Sequence, residues 1–190
     1  MRKLLVFALV VGLVIPLVAA DGEYATKGIW ELGGTAGFSS TSFEEDVAGA
    51  ESDTETTLSL APEAGYFVAD NILLAAVLNL KSVTPEDQDP TTTTGISLAP
   101  TYVFKGKSES IYPFVGILLG LSSVNNNETD VTTSLTTYGL RGGIKVKLGG
   151  NGLLNLGLKY EAGSGTRDAA TETDYDLSNI EIGAGFTIFL

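Results

Sequence analysis

The fold of this chain is decided by the stretch Tyr175-Asp-Leu-Ser-Asn-Ile-Glu-Ile-Gly-Ala-Gly-Phe-Thr-Ile-Phe-Leu190. From Ile180 onward every second residue is apolar, and the residues between them are polar or glycine until Phe189. A period of two over this length predicts a β-strand with two different faces. A long apolar strand with a free edge invites aggregation, whereas a sheet closed into a barrel has no edges. The stretch therefore predicts the closing strand of a β-barrel.

Seven further segments of strand length precede it, and none of them shows a helical period. We predict strands at 27–39, 55–67, 71–81, 94–105, 111–123, 133–147 and 153–163. The segment 111–123 is apolar on both faces, and Gly116 and Gly120 favour placing its even-numbered residues inside. With the last stretch, the strand number is even and the fold class is all-β.

The predicted connections alternate in length along the chain. Those at 68–70, 106–110 and 148–152 are short, whereas those at 40–54, 82–93, 124–132 and 164–174 are longer and polar. Short turns at one end and longer loops at the other are typical of outer-membrane barrels. The sequence thus predicts an eight-stranded antiparallel up-and-down transmembrane β-barrel with short periplasmic turns and longer extracellular loops.

The polar faces of the strands separate this barrel from a soluble barrel of the lipocalin type. They consist of Gly, Ser, Thr and a few single charges, whereas a solvated exterior is usually denser in Lys and Glu. Small residues suit the narrow interior of an eight-stranded barrel. Aromatic residues of the apolar faces gather near the short turns and predict a membrane girdle, which comprises Trp30, Tyr66, Tyr102, Phe104 and Phe186.

The first residues predict export. Arg2 and Lys3 precede an apolar run that ends in Val18-Ala19-Ala20, which is the pattern of a signal peptide at 1–20, cleaved before Asp21. The alternative, a membrane-anchoring helix, needs about 20 apolar residues and is disfavoured by Gly12 and Pro16. We therefore expect one mature barrel domain at 21–190.

Composition excludes several classes of function. The net charge is −12 and becomes −14 without Arg2 and Lys3, so nucleic acid is a poor partner. The chain has no cysteine, so no disulfide supports it, and it has no histidine, the side chain most often used as a general base. We expect no enzymatic activity and no cofactor.

The pattern resembles the small eight-stranded outer-membrane barrels of the OmpX, OmpA transmembrane-domain and opacity-protein type. The resemblance rests on three features: the alternating strands from residue 27 to the end, the sequence Tyr112-Pro-Phe-Val-Gly116 at the start of the fifth strand, and the stretch from Gly183 to Leu190. The resemblance implies insertion by the barrel-assembly machinery as a monomer, among outer-membrane lipid and lipopolysaccharide of a Gram-negative-type bacterium. It also implies an assembly signal at Phe186, Phe189 and Leu190, although the family usually ends on an aromatic residue.

Charged residues on the inward faces form the first candidate site. They are Glu31, Glu63, Lys81, Lys105, Arg141, Lys145, Lys159, Glu161 and Glu181. An isolated buried charge is very costly, so we expect ion pairs that fill the lumen, and specifically a pair of Arg141 with Glu31, Glu161 or Glu181. The alternative interpretation is a narrow, gated path for ions or small solutes.

The four longer loops, together with the residues next to them, form the second candidate site because they hold 15 of the 23 acidic residues. These are Glu44, Glu45, Asp46, Glu51, Asp53, Glu55, Glu86, Asp87, Asp89, Glu128, Asp130, Asp168, Glu172, Asp174 and Asp176. They predict either a solvated, repulsive rim or divalent-cation binding, for example at Glu86, Asp87 and Asp89. The sequence thus predicts a structural or surface-interaction protein acting through acidic loops toward an extracellular ligand.

Overall fold

The computed structural model describes residues 23–43, 53–85, 90–105, 110–126, 131–167 and 173–190. Eight strands form one closed antiparallel barrel in chain order, in which β8 returns to pair with β1. The strands are β1 Trp30–Phe43, β2 Asp53–Ala69, β3 Ile72–Pro85, β4 Thr91–Val103, β5 Ile111–Asn126, β6 Val131–Gly149, β7 Gly152–Arg167 and β8 Thr173–Phe189. The eight-stranded barrel predicted from the sequence is confirmed.

The last stretch of the chain closes this barrel. Its register runs from Glu31 opposite Phe189 to Ala36 opposite Ala184. Just below that ladder, the Trp30 amide donates to the Leu190 carbonyl at 2.9 Å, and the Leu190 amide donates to the Trp30 carbonyl at 2.8 Å. Closure therefore supplies partners to both terminal strands, which would otherwise be exposed edges.

The two faces of the strands differ as the period of two requires. Outward residues are apolar and exposed, with Ile182 at 82% and Leu121 at 64% relative exposure, whereas inward Phe67 and Leu73 are fully buried. In β5 the even-numbered Tyr112 is buried with Leu118, while the odd-numbered residues face outward. The even residues of this strand therefore face the lumen, by which we mean the interior of the barrel.

The strands are longer than their apolar alternation. In β3 exposed and buried residues alternate from Ile72 to Leu78, and the pattern is then lost although pairing continues to Pro85. Much of the sequence at 40–54, 82–93, 124–132 and 164–174, predicted as loop, is strand for this reason. Threonine-rich segments such as 91–94 keep the pleated backbone paired where no apolar face is needed.

The two ends of the barrel are built differently. At one end, here called the terminal mouth, lie residues 23–29, Leu190 and the tight turns at Asp70–Asn71 and Gly150–Asn151. The opposite end, the distal mouth, receives the ends of β1, β3, β5 and β7. No helix long and apolar enough to cross a membrane occurs among the described residues. The predicted signal segment and its cleavage site lie outside them.

Candidate functional site: the lumen and its plug

The inward charges are positioned by the register of the ladder. An eight-stranded ring places β2 and β6 on opposite walls, while Lys159 of β7 lies directly opposite Glu181 of β8. The structure brings these residues together in three groups, ordered from the terminal mouth toward the distal mouth. The first is Glu31 with Lys145, the second is Glu63 with Arg141, and the third is Lys159 with Glu161 and Glu181.

Arg141 reaches across the lumen to Glu63. Its Nη1 donates to Glu63 Oε2 at 2.7 Å and its Nη2 donates to Oε1 at 2.9 Å, which is the bidentate fork that guanidinium and carboxylate groups favour. The expected pair with Glu31, Glu161 or Glu181 was wrong, because those three carboxylates are held by lysines. Glu63 on the far wall is the acid within reach of the long arginine side chain.

Thr101 completes this cross-lumen pair. Its Oγ1 accepts from Arg141 Nε at 3.0 Å and from Nη2 at 2.7 Å. In the ladder Gly116 stands between the two, opposite Thr101 on one side and Arg141 on the other. Because Gly116 has no side chain, the arginine passes over it to the threonine hydroxyl.

The third group holds a single cation between two acids. Lys159 Nζ lies 3.4 Å from Glu161 Oε2 and 3.3 Å from Glu181 Oε2. Glu181 also accepts a hydrogen bond from Ser59 Oγ at 3.4 Å, which connects β8 to β2 across β1. The group thus ties together side chains from three strands around the ring.

The first group lies under the terminal mouth and contains a residue that sequence reasoning missed. Lys145 forms a buried ion pair with Glu31, whose other carboxylate oxygen accepts from the Tyr24 hydroxyl at 2.7 Å. Tyr24 precedes β1 and is 1% exposed. Its burial, together with the charge of Glu31, raises the pKa of the Tyr24 hydroxyl well above the usual value for tyrosine.

Tyr24 sits in an aromatic box formed by three barrel residues. Its ring centroid lies 5.4 Å from that of Phe67, 4.8 Å from Tyr112 and 5.2 Å from Phe189. The only sequence signal for this cluster was Phe189, the aromatic residue that breaks the polar face of β8. Phe189 is fully inward, and its predicted role in an assembly signal stays a prediction.

Residues 23–29 cover the terminal mouth, and we call this segment the plug. The Asn71 amide donates to the Ala25 carbonyl at 2.9 Å, and the Gly28 amide donates to the Phe67 carbonyl at 2.9 Å. The Lys27 amide donates to Asp70 Oδ1 at 2.9 Å. The plug is therefore held mainly at the turn between β2 and β3.

The two remaining lysines of the predicted set lie apart from these groups. Lys81 is on the inward face of β3, opposite Ser59, and forms no ion pair within the part of the chain that the structure describes. Lys105 lies beyond the end of β4 and is not in the lumen. Its Nζ lies 3.4 Å from Glu23 Oε1 of the plug. This contact is possible because β4 ends at Val103, so that Lys105 lies at the terminal mouth.

The lumen contains a partly open cavity of about 80 Å³ that is lined by residues of all three groups, with Lys145 from the first. Its lining includes Glu63, Arg141, Lys159, Glu181 and Asn155. The Asn155 amide nitrogen donates to Thr187, but its Oδ1 is buried without a protein partner. A polar cavity of this size has room for a few water molecules.

The exterior carries two rings of aromatic residues. At the terminal mouth the rings of Trp30 and Tyr66 lie tilted with centroids 5.1 Å apart, those of Tyr102 and Phe104 meet edge to face at 4.8 Å, and Phe186 is exposed. The second ring, missed from the sequence, contains Tyr138 and Tyr160 on the outer face of β6 and β7 toward the distal mouth. Among the described strand residues, the outward positions between the rings hold no charged side chain.

Most of the predicted acidic rim lies outside the described residues. This holds for Glu86, Asp87 and Asp89, the candidate cation ligands. Within residues 23–43, 53–85, 90–105, 110–126, 131–167 and 173–190 no cluster of three or more metal-ligating side chains occurs. Cation binding by the loops stays a prediction.

Comparison with known proteins identifies the fold. No protein-family model and no curated protein sequence matches the chain. Among solved structures, Neisserial surface protein A aligns with a TM-score of 0.56 at 18% identity, over 85% of this chain and 97% of that one. Outer membrane protein AlkL, determined in lipid bilayers, aligns with a TM-score of 0.50 at 14% identity, over 92% and 93%.

A third structure, the outer membrane protein OprG from Pseudomonas aeruginosa, aligns with a TM-score of 0.48 at 18% identity, over 90% of this chain and 99% of that one. At such identities the likeness of the first two structures concerns the fold alone. That fold is a small, closed, eight-stranded barrel.

Proposed function

We propose, from the fold this chain shares with small outer-membrane barrels, that it is an integral outer-membrane protein that presents acidic loops at the cell surface. In this proposal the terminal mouth faces the periplasm and the distal mouth faces outward, because both chain ends of such barrels lie on the periplasmic side. The barrel acts as a scaffold and not as a pore or an enzyme.

The exterior supports the membrane placement. Outward residues stay apolar or glycine from Ile72 to Leu80 in β3 and, after Tyr138, to Leu148 in β6. These spans match the roughly 9 to 11 residues that a tilted strand needs to cross a bilayer. Above them the outward residues become hydroxyl-bearing, as at Ser82, Thr94 and Ser164, which suits the headgroup region.

The observation that carries the scaffold proposal is the Glu63–Arg141 pair. It spans the lumen from wall to wall, and its two side chains are 17% and 12% exposed. A solute would have to displace a bidentate ion pair whose separated charges are costly to leave unpaired. Below it the aromatic box and the plug add a second obstruction.

The acidic loops support a surface-interaction role. The excess of acids over bases is concentrated in the segments that join the distal strand ends. Such a rim attracts cationic surfaces, and the attraction weakens as salt rises. The absence of histidine from the sequence argues against the usual acid–base catalysis.

A narrow ion path is the competing candidate, favoured by the lumen cavity of about 80 Å³ that residues of all three charge groups line. Both signs of charge line it, as in conducting polar lumens. Planar-bilayer recordings of the refolded protein separate the two proposals. The scaffold gives no steady conductance steps, whereas regular ohmic steps would favour the path.

Replacing Arg141 by Ala tests the cross-lumen pair. Glu63 would then remain buried without its cation, and breaking such a pair costs about 3–5 kcal/mol. We expect a lower temperature of unfolding in vesicles, a higher conductance, or both, while the double variant R141A with E63Q recovers part of the stability. A variant unchanged in both stability and conductance would refute a closing role for this pair.

The loop proposal is tested with nanodiscs that carry the barrel over immobilised polylysine. We expect binding that decreases with salt and decreases further in the triple variant E86Q, D87N and D89N. A variant with the same change of charge inside the lumen would break ion pairs there and is therefore unsuitable as a control. A nanodisc without protein is used as the control instead. Equal retention of all three samples would contradict the proposal.

A further inference from the structure

The plug depends on one side chain for its contact with the lumen. Among residues 23–29 only Tyr24 and Ala25 are buried, and Ile29 packs partly against the same cluster. The other contacts include backbone hydrogen bonds to the end of β2 and the following turn, and a hydrogen bond of the Lys27 amide to Asp70 Oδ1. Lys105 Nζ also contacts Thr26 Oγ1 and forms an exposed ion pair with Glu23, which contributes little in water. Displacing Tyr24 is therefore the step that breaks the contact of the plug with the lumen.

The site that Tyr24 fills is built by the barrel and not by the plug. Phe67 comes from β2, Tyr112 from β5 and Phe189 from β8, while Lys145 lies 6.0 Å above the tyrosine ring. Glu31 of β1 supplies the acceptor for the hydroxyl at 2.7 Å. Because five strands contribute, the pocket has walls that do not depend on its occupant.

We propose that the terminal mouth is a phenol-binding pocket occupied in cis by Tyr24, and that a ligand bearing a phenolic ring displaces the plug. The chemistry of the pocket defines this class of ligand. Three aromatic rings favour a flat ring in edge-to-face contact, and the Glu31 carboxylate favours a hydroxyl donor at one end of it. An aliphatic alcohol lacks the first interaction, and benzene lacks the second.

The proposal goes beyond the scaffold function and rests on it only for the side of the membrane that the mouth faces. Lifting the plug would expose the lower lumen to that side while the Glu63–Arg141 pair still closes the lumen above. The expected observable is therefore local access to residues under the plug, without a steady current. This separates the plug from the cross-lumen pair.

The natural absence of cysteine allows a direct test by thiol labelling. V103C places a thiol at a fully buried position of the cluster that contains Tyr24. S97C, on the same face of β4 and 2% exposed, is the matched control. It lies about 20 Å farther along the strand at about 3.3 Å per residue. Each is labelled in vesicles with a small charged methanethiosulfonate, with Tyr24 intact and with Y24A.

We expect Y24A to accelerate labelling of V103C by about 100-fold, which corresponds to about 3 kcal/mol of lost aromatic burial at 1.4 kcal/mol per tenfold, and to leave S97C slow. Added p-cresol should restore slow labelling of V103C in Y24A, whereas cyclohexanol should not. With Tyr24 intact, p-cresol should instead accelerate labelling by competing with the plug.

Three results would overturn the proposal. One is a V103C rate that does not respond to Y24A. Another is equal acceleration at both thiols, which indicates general loosening of the barrel. The third is the lack of any p-cresol effect. If Y24A does not fold, as judged by heat-dependent gel mobility, Y24F keeps the ring without the donor and should give a smaller acceleration. Loss of folded, vesicle-inserted protein in the unmodified chain would instead count against the proposed membrane function.

Discussion

Gly116 illustrates how the lumen depends on residues without side chains. It lies between Thr101 and Arg141 in adjacent ladders, and a Cβ at this position would meet Thr101 Oγ1 at 2.5 Å and the Pro100 carbonyl oxygen at 2.8 Å. The threonine oxygen is the atom that accepts two hydrogen bonds from Arg141. A larger residue here would compete with the guanidinium for the same space.

We therefore expect G116A to weaken the Glu63–Arg141–Thr101 connection and to destabilise the barrel by about 1–3 kcal/mol, the usual cost of overpacking. Unfolding in urea, followed in lipid vesicles, measures the change. G183A is the matched control, since a Cβ there meets its nearest atom, Thr35 Cβ, at 3.6 Å. Equal effects of the two substitutions would contradict a specific role for Gly116.

At the scale of the strand, β3, β6 and β8 each have an apolar outer part, which crosses the membrane in the proposed function, and a hydroxyl-rich extension. In β8 the outward residues change from Phe186, Ala184, Ile182 and Ile180 to Ser178 toward the distal mouth. The backbone pairing with β7 continues without a break across this change, to Arg167 opposite Thr173. Backbone pairing and an apolar outer face therefore extend over different lengths of the same strand.

This division predicts a steep dependence on depth for a charge placed on the outer face of β8. I182R should cost about 2–4 kcal/mol, because Ile182 lies in the middle of the apolar span, whereas S178R should cost about 0–1 kcal/mol. Reversible unfolding of both variants in vesicles measures the difference. Similar costs at the two positions would show that this face is not in contact with lipid.

The sequence Ser-Leu-Ala-Pro occurs in β2 at 59–62 and again in β4 at 97–100. Pro62 pairs with Gly34 of β1, and Pro100 pairs with Leu74 of β3. The next ladders skip them, since pairing of β2 with β3 resumes at Glu63 and that of β4 with β5 at Thr101. Proline has no amide hydrogen to donate, so each repeat interrupts one ladder of backbone pairing locally.

At the scale of the whole molecule, the barrel is asymmetric along its axis. Five aromatic residues surround the terminal mouth, where the plug closes the lumen, and the acidic connections follow the distal strand ends. The single tryptophan of the chain, Trp30, belongs to the terminal ring and is 51% exposed on the outer face. Under the proposed function, its fluorescence therefore reports the depth of this end in the bilayer.

We expect the emission of Trp30 to shift to the blue on refolding into vesicles, because its ring enters the membrane boundary. Lipids brominated close to the headgroup should quench it more strongly than lipids brominated near the chain ends. Quenching that increases toward the bilayer centre would contradict the position of the girdle. W30F, which removes the signal, checks that no other residue contributes.

The sequence by itself determined the barrel, the strand number and the outward face. The period of two in Ile180 to Leu190 and in its seven counterparts is local, since alternate side chains of any strand point to opposite sides. It also predicted inward charges, because charged residues on small-residue faces should lie inside, but Lys105 lies beyond the end of β4. The strands predicted from the sequence were too short at the distal end, because the threonine-rich extensions do not alternate with apolar residues.

The tertiary structure alone decided which charges meet and what closes the terminal mouth. The pairing of Arg141 with Glu63 depends on the ring, which puts β6 opposite β2, and no spacing along the chain encodes that distance. Tyr24 lies outside every segment with a period of two, so the sequence pattern does not place it among Phe67, Tyr112 and Phe189. Those three residues belong to three strands that meet only in the closed barrel. Contacts across the lumen follow from closure of the whole sheet, whereas alternation is a property of each strand.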